Sequence, residues 1–364
     1  MEALVNPVWN GRRVLVTGDS GFKGSWLAIW LHAMGAKVTG FSLPPPSDPS
    51  LFDATRLGEL IDHVEGDVRD PAAVHAAVER ARPEIIFHLA AQPLVRLSYE
   101  QPIETYAANV MGTVHVLEAA RHVGGVAGIV CVTSDKCYEN REWEWPYRET
   151  DPMGGHDPYS SSKGCAELVV SAWRRSYFQH EGPALASVRA GNVIGGGDWA
   201  ADRLVPDLVR AFEAGAAPLI RSPQSVRPWQ HVLEALGGYL MIAERLLAGE
   251  RRFADGWNFG PADEDARPVG WIVDRMRAAW SEDATPATLD DGPQPHEAGL
   301  LRLDCSRAKS ALGWQPALRL AQTIDWIVEW HQRVGTGEDA RAVTLEQIGR
   351  YIGQAGRGVV QAAA

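Results

Sequence analysis

No stretch of this 364-residue chain approaches the roughly 18 uninterrupted apolar residues of a membrane span, so no membrane-embedded segment is expected. Cysteine is scarce. The four thiols, Cys131, Cys137, Cys165 and Cys305, include no C-x-x-C pair. A chain able to bury its own core has little use for a disulfide framework, which leaves structural thiols in a reducing cytoplasm. No grouping of His, Cys and Asp has metal-ligand spacing, so no metal is expected. Positive charge is in deficit: 35 Lys and Arg face 46 Asp and Glu, a formal charge of −11. That balance argues against nonspecific association with nucleic acid or an anionic membrane. It leaves room for an anionic small molecule, because a basic pocket can sit inside an acidic protein. The opening Met-Glu-Ala-Leu-Val-Asn-Pro has no basic segment followed by an apolar core, so a signal peptide is not expected. Internal repeats and low-complexity tracts are also absent. A soluble cytoplasmic protein is the class that survives.

What is present is an ordinary globular composition, 45% apolar and 22% charged. The length suits one large or two moderate domains of roughly 100–200 residues. Short β-branched runs alternate with amphipathic ones. Strands are expected at Arg13–Thr17, Lys37–Leu43, His63–Val68, Glu84–Leu89, Gly128–Thr133 and Leu185–Val193. Helices are expected between them at Phe22–Met34, Pro71–Arg80, Pro102–His122 and Pro158–Gln179. The alternation predicts an α/β fold of the Rossmann type, a doubly wound parallel sheet with helices on both faces. Beyond Gly195 the elements shorten, with helices near Arg203–Ala214, Leu233–Leu247, Val269–Trp280 and Leu320–Arg333 and a strand near Leu219–Ser222. The expected division is a dinucleotide-binding domain over 1–195, a smaller mixed substrate lobe over 196–335, and a C-terminal helix and tail over 336–364, frayed from Gly356 onward.

Gly18-Asp19-Ser20-Gly21-Phe22-Lys23-Gly24 is a G-x-x-G-x-x-G run between the first strand and the first helix. Glycine is needed there because the chain turns sharply, its backbone must approach a pyrophosphate, and the helix must pack closely on the strand. The helix N-terminus then offers N–H groups and a partial positive charge to phosphate. Gly18, Ser20, Gly21, Phe22, Lys23 and Gly24 are therefore the phosphate-side candidates. No acid closes the second strand, which ends Gly40-Phe41-Ser42-Leu43, and no Arg stands there either. The rule that separates NAD from NADP is silent on this chain. Asp67-Val68 closes the third strand, where Asp67 is either an adenine contact or a turn residue.

Tyr159 and Lys163 are four apart and share one helical face. A Tyr near pKa ~10 is a poor base at neutral pH, and a neighbouring ammonium and a nicotinamide cation both favour its phenolate. Thr133, at the end of the fifth strand, is the candidate hydroxyl partner. Asp135-Lys136 follows it, at the C-terminal end of a sheet strand, where such folds bind ligands. Burial and the proximity of Lys163 would strip the charge from Lys136 and suit it to base work.

Together Thr17-Gly18-x-x-Gly21-x-x-Gly24, His88-Leu89-Ala90-Ala91-Gln92, Asn109 and Tyr159-x-x-x-Lys163 resemble the extended short-chain dehydrogenase/reductase superfamily. Gly21 to Leu27, Thr133-Ser134-Asp135-Lys136-Cys137-Tyr138-Glu139-Asn140, Gly154 to Ser160, Gly195 to Trp199, Arg227 to Val232 and Ala311 to Pro316 narrow the resemblance to the CDP-glucose 4,6-dehydratases. It spans about Gly11 to Trp330, and the Asp-Lys-Cys-Tyr segment is its most specific part. One departure stands out: Asp19-Ser20 replaces the usual His-Thr, placing an acid beside the pyrophosphate path, where it would weaken cofactor retention.

The resemblance implies NAD as cofactor and CDP-glucose as substrate. Tyr159 would take the sugar 4-hydroxyl proton as hydride leaves C4, with Thr133 bonded to that oxygen. Lys136 would remove the C5 proton while Asp135 protonates the departing 6-hydroxyl, and hydride would return to C6. Leu89, Ala90 and Ala91 join the cofactor contacts. Gln92, Asn192 and Arg227 are candidates for substrate, with Arg203, Arg221 and His231 beside them. Trp143 and Trp145 are candidate covers of the pocket. The resemblance further implies a homodimer or tetramer, paired through Pro102–His122 and Pro158–Gln179, serving deoxysugar biosynthesis for a surface polysaccharide such as O-antigen. A related dehydratase or 4-epimerase using another nucleotide, and a non-catalytic dinucleotide-binding scaffold, are the alternatives. The Asp135-Lys136 pair counts against an epimerase, and the intact Thr133, Tyr159 and Lys163 against a scaffold.

Overall fold

The computed structural model describes residue 4, residues 6–290, residue 292 and residues 299–356. Residues 357–364 of the expected frayed tail lie outside them.

Seven parallel strands form the central sheet: β1 (Arg13–Thr17), β2 (Lys37–Ser42), β3 (Asp62–Glu65), β4 (Ile85–His88), β5 (Gly128–Val132), β6 (Ala184–Ala190) and β7 (Gly256–Phe259). Their spatial order is β7-β6-β5-β4-β1-β2-β3. The order reverses between β1 and β4, so a crevice opens above their C-terminal ends, where doubly wound sheets take ligands. Every residue of β4 and β6 is buried, as expected for strands covered on both faces. β7 lies well beyond residue 195 yet pairs with β6, so the sheet borrows its last strand from the expected substrate lobe.

Alternation within β1 sorts the two faces. Val14 and Val16 pack with α1 (Phe22–Ala33), while Leu15 packs with α2 (Pro71–Ala81), α3 (Gly112–Val123) and α4 (Pro158–Ser176). The helices begin where their sequences dictate. Asp70 accepts from the Ala72 and Ala73 N–H groups ahead of α2, and Asp157 accepts from Ser160 N–H ahead of α4. In both, Pro occupies the first helical position, where its missing N–H is no loss. A third core joins α5 (Leu204–Glu213), α7 (Val269–Trp280) and α8 (Leu320–Gly335). Between them in sequence, α6 (Val232–Leu247) returns to the sheet and packs with the α1 face. α9 (Ala340–Ala355) closes the described chain and stacks Tyr351 edge-on against Trp30 of α1, 5.7 Å between ring centres.

The single helix expected over Pro102–His122 is not uniform. A short helix, Pro102–Tyr106, widens into a π turn at Ala107–Met111 before α3 begins. Within that turn Asn109 donates from Nδ2 to the Ser162 hydroxyl on α4 at 2.8 Å, and accepts from Gln92 N–H at 2.8 Å. The wide turn serves these side-chain bonds, which periodicity cannot reveal.

Candidate active site

β1 ends at Thr17 and the chain reverses at Gly18 with φ +79°. A Cβ on Gly18 would come within 2.7 Å of the Ala90 nitrogen, and one on Gly24 within 2.0 Å of the Gly18 carbonyl oxygen. These two contacts demand glycine. Thr17 Oγ1 accepts from Ala90 N–H at 3.2 Å, so Leu89, Ala90 and Ala91, which follow β4, flank the same crevice as the glycine turn. No side chain caps α1 at Gly21. The first-turn N–H groups of Phe22, Lys23 and Gly24 are thereby kept for an anion.

Ser20 turns away from that turn: its hydroxyl donates to the Leu43 carbonyl at 2.8 Å. Asp19 departs further from expectation. Its fully buried carboxylate lies against β2 where Gly40 has no side chain, and His63 Nδ1 of β3 sits 2.7 Å away. A Cβ on residue 40 would be 2.1 Å from that carboxylate. The acid is thus engaged by His63, whose pKa it raises through the hydrogen bond. Asp67 accepts from Arg69 N–H at 2.9 Å and from its guanidinium, which is a turn residue's behaviour. Val68 is buried against Gly112 at the start of α3.

At the chemical end, Lys163 holds its ammonium 6.0 Å from the Tyr159 ring centre. Burial outweighs the lowering by Ser134 and Arg203 and pushes Tyr159 up to about 12, and burial pushes Lys163 down to about 8. Thr133 is a correction. Its hydroxyl points into the interior and donates to Glu167 of α4 at 2.5 Å. The residue beside Tyr159 is Ser134, whose hydroxyl bonds to the phenol and also donates to Asp135 Oδ1 at 3.0 Å. That hydroxyl can donate to only one of the two at a time, and it links Tyr159, Ser134 and Asp135 in one run. Asp135 is buried, its Oδ2 has no partner, and burial raises its pKa. Lys136 is half-buried, short of the seclusion expected for it.

Lys23 is a further lysine whose charge is disfavoured. Its ammonium lies 5.7 Å from the Tyr239 ring centre, and desolvation, followed by repulsion from Lys163 and Arg203, lowers it to about 7. Both Lys23 and Tyr239 sense the Asp135 charge, and the buried Tyr239 hydroxyl has no partner. The Lys23 side chain therefore faces the chemistry, whatever its backbone does for phosphate.

The expected substrate residues divide. Arg227 is buried and close enough to Asp135 to favour its ionised form. Arg203 bonds Asp198 at 3.0 Å and its charge reaches Tyr159. Asn192, partly buried after β6, accepts from Gln230 N–H through its carbonyl at 3.0 Å, leaving its amide uncommitted to that contact. Three others are spent elsewhere. Gln92 donates to the Leu94 carbonyl at 3.0 Å and the Thr105 hydroxyl at 2.9 Å, closing its own loop. Arg221 pairs with Asp202 at 3.4 Å and Asp207 at 3.8 Å. His231 caps α6 inside the core, edge-on to Trp26 and Trp326, and burial lowers it to about 3, so it is no cation for a diphosphate. Trp143 stacks on Tyr147 at 5.6 Å, while Trp145 is exposed.

Residues 15–327 match the profile of the GDP-mannose 4,6 dehydratase family. The chain belongs to that family. A CDP-glucose 4,6-dehydratase from Salmonella typhimurium is 55% identical to this member over 349 residues, covering 94% of this chain and 97% of the relative. Among solved structures, a UDP-glucose 4-epimerase from Thermotoga maritima with UDP-glucose superposes with a TM-score of 0.76 at 22% identity, covering 88% of this chain and 99% of its own. A dTDP-glucose 4,6-dehydratase from Streptomyces venezuelae with NAD bound reaches 0.75 at 22% identity, covering 89% and 98%. The two structural likenesses establish the Rossmann-type fold of this family member.

Within that fold, sequence reasoning missed Ser134, Tyr239 and Glu167. Ser134 adjoined the right residue, and only the direction of successive side chains at a strand end separates it from Thr133. Glu167 carried a usable signal, since it continues the Tyr159 and Lys163 spacing by another four residues on the same helical face.

Proposed function

We propose that this chain converts CDP-D-glucose to CDP-4-keto-6-deoxy-D-glucose, a 4,6-dehydration in which NAD is regenerated. The observation that carries the reaction type is the connected run Tyr159–Ser134–Asp135 above the sheet. The choice of CDP is supported by the 55% identity to the Salmonella enzyme. The residues fit a dinucleotide, because the turn at Gly18 and Gly24 excludes any Cβ and α1 has no side-chain cap. The glycine turn and the first-turn N–H groups of Phe22, Lys23 and Gly24 would hold NAD, which would supply a hydride acceptor for C4 and a hydride donor for C6.

The chain's own groups do the rest. Tyr159 receives the 4-hydroxyl proton, assisted by the Lys163 ammonium, and Ser134 takes the place given to Thr133 in orienting that oxygen. The 4-ketone acidifies C5–H, and Lys136 removes that proton and gives it back to C5 once C6 has received the hydride. Asp135, which burial keeps inclined to hold its proton, delivers it to the 6-hydroxyl, so water departs. Arg227, Arg203 and Asn192 bind the diphosphate side. A homodimer or tetramer accords with the exposed Ile103, Met111 and Leu168 on the segments that precede α3 and on α4. A cytoplasmic location and the supply of deoxysugars for a surface polysaccharide such as O-antigen complete the reading.

The test is incubation with CDP-, dTDP-, UDP- and GDP-glucose, followed by the alkali-induced absorbance of a keto sugar. CDP-glucose alone, or CDP-glucose far above the others, should give the signal. Absence of product from all four sinks the reading.

A further inference from the structure

One buried carboxylate lies outside the reacting groups, on the helix that carries Tyr159 and Lys163, and reaches the turn that carries Asp135 and Lys136 through intermediate residues. Glu167 sits on α4, four residues past Lys163 and eight past Tyr159. It accepts from the Thr133 hydroxyl at 2.5 Å, the Ser187 hydroxyl at 2.8 Å, and Arg189 Nε and Nη2 at 2.8 and 2.7 Å. Arg189 Nη1 donates to the Tyr138 phenol at 2.7 Å, which in turn donates to Asn258 Oδ1 on β7 at 2.7 Å. Tyr138 immediately follows the short 3-10 turn Asp135–Cys137. Thr133, Glu167, Ser187, Arg189, Tyr138 and Asn258 are all buried.

Burying an ion pair is a poor way to gain stability, since desolvation offsets most of the Coulomb attraction and apolar replacements are often as stable. Its value lies in direction. Four bonds to one carboxylate fix where α4 stands relative to the ends of β5 and β6. The Arg189–Tyr138 bond extends that restraint to the far side of the turn bearing Asp135 and Lys136. Thr133 holds the near side. The two halves of the chemistry, the Tyr159–Lys163 helix and the Asp135–Lys136 turn, also pack directly on one another, since a Cβ on Gly164 of α4 would come within 3.2 Å of the Cys137 carbonyl oxygen; the Glu167 bonds add direction to that packing.

We propose that Glu167 is a positioning residue which, through Thr133 on one side and Arg189–Tyr138 on the other, holds the Asp135–Lys136 turn in register with the Tyr159–Lys163 helix, so that elimination follows oxidation of the same sugar. The proposal rests on the dehydratase reading above. Glu167 also supports the positive charge of Lys163, which it raises against the lowering by burial.

Loosening the turn should uncouple the half-reactions. In Thr133→Val and Tyr138→Phe, oxidation at C4 proceeds while elimination lags. NADH absorbance at 340 nm should then accumulate in the steady state, kcat should fall about tenfold or more, and KM should stay near the native value. Thr133→Ser, which keeps the hydroxyl, should restore native behaviour. Glu167→Gln leaves Arg189 without its counter-charge and endangers folding, so the two milder variants carry the test and melting temperatures accompany them. Native kcat with no accumulated NADH in both folded variants overturns the inference. So does a fall in kcat that tracks only a fall in melting temperature. If the native protein itself fails on CDP-glucose, the dehydratase reading fails first, and that result is separate from either of these.

Discussion

Ser134 has one hydroxyl proton and two neighbours that can accept it, the Tyr159 phenol and the Asp135 carboxylate. When the phenol ionises, donation to it stabilises the charge; when the carboxyl ionises, donation shifts the other way. Ser134→Ala removes both options, and loss of a preorganised donor at a reacting oxygen typically lowers kcat by about 10²-fold. That loss, with cofactor binding preserved in a fluorescence titration, is the expected outcome; turnover near the native rate would return the role to Thr133. At this scale the Tyr159–Lys163 pair was readable, because two residues four apart must share a helical face. Thr133 against Ser134 was not. Adjacent residues at the end of a strand project to opposite sides, and nothing local says which side faces substrate.

The strand-turn-helix unit of β1, the glycine turn and α1 was legible almost residue by residue. Its determinants are local: a short β-branched strand, glycines at fixed spacing, and an apolar helix. The turn closes on its own backbone, with Gly24 packed against the Gly18 carbonyl. Gly24→Ala should therefore both weaken dinucleotide binding and cost about 1–3 kcal/mol of stability, as overpacking does. Calorimetric titration with NAD and a denaturant melt would check the two effects together, and unchanged values in both would refute the account of the turn. The setting of Asp19 was hidden for the opposite reason. Its partner His63 is 44 residues away and its space is provided by Gly40 on a neighbouring strand. The π turn at Ala107–Met111 was hidden likewise, since Asn109 reaches partners outside its own helix.

Across the whole molecule, α6 links the sheet to the C-terminal elements through Glu234. Its carboxylate accepts from Ala317 and Leu318 N–H at 2.8 and 2.6 Å, and the Tyr351 hydroxyl of α9 lies at 3.1 Å. Burial raises Glu234 to about 7. The folded protein thus holds this proton more tightly than the unfolded chain, in which a glutamate titrates near 4.3. The associated stability is complete below the unfolded pKa and is lost as pH rises through about 7. Thermal melts from pH 5 to 8 should show the native protein losing ground relative to Glu234→Gln, which keeps the acceptor and cannot ionise. Parallel curves would contradict the raised pKa.

Segments that carry their own instructions were determined by sequence alone: the alternating strands and helices, the caps at Asp70 and Asp157, the glycine turn, and the placing of Tyr159 beside Lys163. The tertiary structure decided what depends on residues meeting from afar. It brought β7 into the sheet from beyond residue 195 and turned the Asp19 carboxylate onto His63. It set His231 inside the core and bonded the Gln92 amide within its own loop, and it gave Thr133 to Glu167 and Ser134 to Tyr159. The physical reason is range. Backbone preference and periodicity act over a few residues, whereas burial and hydrogen-bond partnership are settled only when distant strands and helices close on one another.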